Sequence, residues 1–153
     1  MPDYRGFRGP LPPVYFLASL FIAIGLHYQA PLAVIISQPW NFAGIAIIVT
    51  AAAIVVQPAL AFRKADTSII PFRESSSLVR NGMYRFSRNP MYLGMLTALI
   101  GVCIVLGSLG PLIVPALFYL IIRHRFIRIE ESMLEQKFGD EYLEFKRSVR
   151  RWI

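Results

Sequence analysis

Two short stretches hold the residues whose types and spacing could do chemistry. The first, residues 80–94, reads RNGMYRFSRNPMYLG. Tyr84, Asn89 and Tyr92 are three directional hydrogen-bonding groups inside it, and they stand at the mouth of an uncharged run. Asn89-Pro90 also has the form of a helix start, since asparagine is favoured at the cap and proline at the first helical position. The free backbone N–H groups of such a start suit an anionic ligand group, for example a carboxylate. The second stretch, residues 123–152, reads RHRFIRIEESMLEQKFGDEYLEFKRSVRRW. It carries Glu130 and Glu131 side by side. Glu131 is an i,i+3 neighbour of Arg128, which is enough for a surface ion pair. Glu130 has a different phase. It shares a helical face with Phe126, Met133 and Leu134, and a carboxylate on an apolar face needs a partner.

The other reactive side chains offer less. Cys103 lies in an apolar run with no charged neighbour to lower its pKa, and it reads as a packing residue. His124 stands between two arginines as an interfacial residue. His27 lies near the end of a separate apolar segment and reads as structural. No glycine-rich dinucleotide fingerprint, HExxH or paired CxxC occurs, and the two histidines are poorly placed for a Ser-His-Asp set. Arg85 and Arg88 read equally well as ordinary topology markers.

The elements that position these groups follow from the charge pattern. The chain has 153 residues, enough for one domain; 56% are hydrophobic and 16% charged. Residues 14–62 contain no Asp, Glu, Lys or Arg, and neither do residues 89–122. A membrane-spanning helix takes roughly 20 apolar residues, so the first run holds two spans and the second two short ones. The spacing predicts an all-α polytopic membrane protein. Its expected spans lie at about 14–30, 41–62, 91–107 and 109–125. The fourth helix is expected to continue through 123–138 and to end at Gly139. A C-terminal amphipathic cytoplasmic segment follows at 140–152. The 16 lysines and arginines fall in residues 1–13, 63–88 and 123–151, and the links 31–40 and 107–111 have none. By the positive-inside rule both termini and the middle loop are cytoplasmic. No cleavable signal peptide is read at the start. The net charge of +7 belongs to membrane orientation, not to nucleic acid. Any site must then be built from two polar blocks, 66–94 and 123–152, at one membrane surface.

The segment LVRNGMYRFSRNPMYLG, followed by a helical hairpin and then RIEESMLEQKFGDEYLEFKRSVRRW, resembles the isoprenylcysteine carboxyl methyltransferase family. These are integral membrane enzymes related to phospholipid methyltransferases. The resemblance covers about residues 66–152. It implies S-adenosylmethionine as the cofactor and a lipid-like or small apolar acceptor entering from the bilayer. Cofactor positions of the family fall on Ser76, Ser77, Leu78, Val79, Tyr84, Asn89, Pro90, Met91, Tyr92 and Glu130. The eukaryotic members carry histidine at the position of Asn89. They also carry a substrate-binding arginine at the position of Phe126. Arg125 and Arg128, with Arg151 as a third, could hold the acceptor anion in its place. The implied activity is methyl transfer to a carboxylate. Related alternatives are phospholipid, amine or thiol methylation, a nicotinamide-using membrane reductase and a non-catalytic helical membrane protein.

Overall fold

The computed structural model describes residues 9–64 and 77–153. Helix α1 (Pro12–Gln29) opens with two prolines, whose fixed φ suits the first helical turn. It stops before Pro31. Helix α2 (Ala43–Lys64) follows a short 3-10 turn, Trp40–Phe42, and carries Pro58 inside it. Helix α3 (Pro90–Leu106) ends at Gly107, whose φ of 69° is the left-handed conformation of a helix stop. Helix α4 (Ile113–Ile122) does not end where its apolar sequence does. It runs through a π-helical turn, Arg123–Ile127, into α5 (Arg128–Phe138), as the sequence predicts for one continuous fourth helix. Gly139, at φ 51°, breaks the chain and α6 (Asp140–Ser148) begins.

The amphipathic C-terminal segment is shorter than the sequence suggests. Helix stops at Ser148, and Val149 is already extended (φ −127°, ψ 133°). The reason lies in the partners of this segment, described below with the site.

Helices α2 and α3 pack at very close range because small residues face each other. A Cβ on Gly101 would come within 2.9 Å of the Gly44 carbonyl oxygen and 2.8 Å of Ile48 Cγ1. This is small-residue packing of the kind used between apolar helices. At one end of the bundle the link after α1 pairs with the turn after α3. Ile35 N donates to Gly107 O (2.8 Å), Leu109 N to Ala33 O (2.9 Å) and Gly110 N to Pro31 O (3.1 Å). His27 Nδ1 lies 2.8 Å from Ser108 Oγ at this same end, in keeping with its structural reading.

The outer faces are apolar and uncovered. Phe21 is 71% exposed and Val49 65%. The span Trp40–Ala61 is long and apolar enough to cross a membrane, with mean hydropathy 2.2, and little of it is buried inside the protein. Helix α3 is a shorter apolar helix of 17 residues, about 25 Å long at 1.5 Å per residue. A buried core of Tyr92, Leu99, Phe118, Ile122, Phe126 and Ile127 joins α3 to α4 and its π turn. Among the described residues there is no strand, only an isolated bridge between Val34 and Ser108.

Candidate cofactor site

The site lies at the end of the bundle opposite His27 and Ser108. The chain enters it through the turn Gly82–Arg85, which is held from below by α2. Gln57 Oε1 accepts a hydrogen bond from Met83 N at 2.9 Å, and Gly82 supplies the positive φ that the turn requires. This turn buries Tyr84 against Tyr142 and Phe145 of α6, with Leu78 and Val79 packed on the same cluster. Ser77 has a buried hydroxyl without a hydrogen-bond partner. Ser76 lies outside the described residues.

Next comes the start of α3. Pro90 is buried at its first position and Met91 is half-buried. Asn89 stands at the cap position, but its side chain does not cap the helix. Its Nδ2 instead donates to the carbonyl oxygen of Arg151 at 3.0 Å. The first turn of α3 is therefore left without a side-chain cap. Tyr92, buried in this first turn, donates its hydroxyl hydrogen to Glu130 Oε1 at 2.7 Å.

Glu130 is the centre of this arrangement. It comes from α5, 38 residues away from Tyr92 in sequence. Its carboxylate is deeply set among protein atoms while the residue keeps some open surface. Burial pushes its pKa up to about 7, the Tyr92 hydrogen bond lowers it, and the neighbouring Glu131 charge raises it. Tyr84 is pushed well up, first by burial and then by the Glu130 charge. Three residues expected from sequence to serve one site, Tyr84, Tyr92 and Glu130, are thus brought together.

Glu131 does something else. It is 7% exposed. Arg151 grips it with two bonds, Nε to Oε1 at 2.9 Å and Nη2 to Oε2 at 2.6 Å. Arg88 Nη1 stands 3.3 Å from Oε1. The sequence offered Arg128 as its surface partner, whereas these arginines come from the other polar block and from the C-terminus. Arg88 also bonds the Tyr142 hydroxyl. That hydroxyl is pushed up to about 12, first by burial and then by the Glu131 charge, with Arg88 pulling it down. The backbone completes the joint: Arg88 N donates to Arg150 O at 3.0 Å, and Ser87 Oγ to Arg151 O at 3.4 Å. Those bonds hold the chain from residue 149 onward in a non-helical path. Trp152 then stacks on Tyr119, with ring centroids 5.1 Å apart.

Arg125 and Arg128 are both exposed. Arg128 lines an open groove of about 380 Å³ with Glu131, Ser132, Glu135, Gln136 and Lys146. Neither arginine joins the Tyr92–Glu130 pair.

Residues 39–141 match the family model for phospholipid methyltransferases. The chain belongs to this family. Among curated relatives, protein-S-isoprenylcysteine O-methyltransferase A of Arabidopsis thaliana is 37% identical over 84 residues, covering 52% of this chain and 41% of that protein. The protein-S-isoprenylcysteine O-methyltransferase of Saccharomyces cerevisiae is 39% identical over 76 residues, covering 47% of this chain and 30% of that one. An uncharacterized Haemophilus influenzae protein is 41% identical over 63 residues, which is its whole length and 41% of this chain. The chain thus spans less than half the length of the two named methyltransferases. Membership of a methyltransferase family makes an enzyme of membrane methyltransferase type the frame for the site. Within that frame, Tyr84, Tyr92 and Glu130 were expected in one site, and the fold brings the three side by side. Arg151 and Gln57 were not assigned to holding the site together, although a glutamine inside an uncharged run is a visible signal.

Proposed function

We propose that the chain is an S-adenosylmethionine-dependent methyltransferase that crosses the membrane four times and methylates a lipid-like acceptor, most simply at a carboxylate of the isoprenylcysteine type. The observation that carries this reading is the Tyr92–Glu130 hydrogen bond, which joins the start of α3 to α5 with Tyr84 beside it. The chemistry of the donor set fits the cofactor. A partly desolvated carboxylate suits its cationic and hydroxyl groups. The uncapped start of α3 suits its carboxylate. The orphaned Ser77 hydroxyl offers a further polar contact.

When bound, the cofactor supplies an electrophilic methyl group on a sulfonium. The residues here would bind and orient. Glu130 and Tyr92 would hold the donor's polar groups, Leu78, Val79 and Met91 would exclude water, and Asn89 and Pro90 would shape the entry to α3. Arg125 and Arg128, exposed at the same end, would meet the acceptor's anion. A carboxylate acceptor is already ionised near neutral pH, so no general base is required. Rate enhancement then comes from positioning and water exclusion.

Calorimetry on the purified protein in detergent tests this, with NADPH as the control ligand. S-adenosylmethionine is expected to bind and NADPH is not. Glu130→Ala, folded, is expected to lose at least tenfold in affinity, as for loss of a charged hydrogen bond worth about 1.5–3 kcal/mol. Absence of binding in a stable sample supplemented with lipid would overturn the reading. The family match equally accommodates a phospholipid amine as acceptor. Methyl incorporation into an isoprenylcysteine analogue against phosphatidylethanolamine separates the two.

A further inference from the structure

Helices α3 and α5 carry the two halves of the Tyr92–Glu130 pair, yet they share little backbone contact with each other. Something else must fix their spacing. One residue is bonded to both sides. The backbone carbonyl of Arg151 accepts from Asn89 Nδ2 (3.0 Å) and Ser87 Oγ (3.4 Å), in the segment that leads into α3. The guanidinium of the same residue forks onto Glu131, adjacent to Glu130 on α5. Arg88, whose side chain is 8% exposed, closes the ring from the α3 side at 3.3 Å.

We propose that Arg151 is a positioning residue: acting through Glu131, Arg88 and Asn89, it sets the distance between the two walls of the cofactor site without itself touching ligand. The two adjacent glutamates then divide the work, Glu131 holding the walls together and Glu130 meeting the ligand. The reason is geometric. An arginine–carboxylate fork fixes two bonds in one plane and is stiff, whereas a lysine holds a carboxylate as a point charge only. Because Glu131 is buried, taking Arg151 away also leaves its charge beside Glu130 with only the longer Arg88 contact to offset it. The groups facing Glu130 and its neighbour are Tyr92 from α3, Tyr84 from the preceding turn, Glu131 on α5, and Arg88, Arg151 and Tyr142 around Glu131. Removing the Arg151 charge leaves Glu131 balanced by Arg88 alone, so Glu130 feels more of the Glu131 charge.

The ligand part of this inference rests on the proposed cofactor site; its structural part is tested without ligand. The full chain is prepared in detergent with ¹³C-labelled glutamate, and the Glu130 carboxyl resonance is titrated by NMR. Arg151→Gln is expected to move the Glu130 midpoint upward. Adding Glu131→Gln in the same chain is expected to bring it back down, because the offending charge is gone. Arg151→Lys is expected to keep the midpoint close to wild type. In parallel, calorimetry with S-adenosylmethionine should show affinity reduced about tenfold in Arg151→Gln and severalfold in Arg151→Lys, the scale of one lost charged hydrogen bond. An unmoved midpoint in folded Arg151→Gln would overturn the proposal. If that variant does not fold, wild-type affinity in Arg151→Lys would overturn it. Should the wild-type chain bind no S-adenosylmethionine, the proposed function falls, while the titration still decides the role of Arg151.

Discussion

Glu131 faces two arginines, whereas Glu130 faces two tyrosines and Glu131 itself. The two side chains therefore answer pH differently. With its pKa raised to about 7 by burial, Glu130 is largely protonated at pH 6 and largely ionised at pH 8. A cationic ligand favours the ionised form. Binding below pH 7 must therefore expel a proton, and affinity should climb with pH by up to about tenfold per unit until roughly pH 7, then level off. The Tyr92 hydrogen bond favours the carboxylate, so Tyr92→Phe should weaken binding and move the plateau to higher pH. Glu130→Gln should flatten the climb that Glu130 causes. Calorimetry from pH 5.5 to 9 on the three proteins checks all of this. A wild-type profile identical to that of Glu130→Gln would assign the dependence to another group.

At the scale of elements, the charge-free runs told where helices lie because a helix in an apolar solvent must satisfy its own backbone and excludes charge. The start of α3 at proline and the stop at Gly139 were legible for equally local reasons, whereas α1 begins at Pro12, two residues before the expected 14. Four features were not legible. The π turn at Arg123–Ile127 has no local signature, yet it re-aims α5 and so the phase of Glu130. The clasp of Arg151 on Glu131 joins residues 20 apart and depends on tertiary placement. Asn89 has the right type for a cap, but a buried backbone carbonyl at Arg151 competes for its side chain. Close packing of α2 on α3 is the fourth, since its facing glycines meet only in the folded bundle. Gly101→Leu should therefore cost about 1–3 kcal/mol, the usual penalty of overpacking. Thermal unfolding in detergent should show a lower midpoint. Gly25→Ala on α1, where a Cβ meets nothing within 4 Å, should leave the midpoint unchanged or slightly raised.

At the scale of the whole molecule, the two ends of the bundle differ in kind. One end closes on itself through the 31–36 and 107–110 backbone pairing and is free of lysine and arginine. The other gathers the arginines, the carboxylates and the candidate site. A bilayer turns such asymmetry into orientation, since loops rich in lysine and arginine stay on the cytoplasmic side. The outward apolar faces, with Phe21 and Val49 exposed, supply the surface that lipid would cover. The four crossings proposed above would then put the site on the cytoplasmic side. Thiol labelling in intact cells tests this. Cys103 is 1% exposed, so the native chain gives little background. Ser37→Cys in the first link should react with a membrane-impermeant maleimide from outside. Arg147→Cys on α6 should react only once the membrane is opened. Labelling of Arg147→Cys in sealed cells, or protection of Ser37→Cys from the outside reagent, would invert or break the topology.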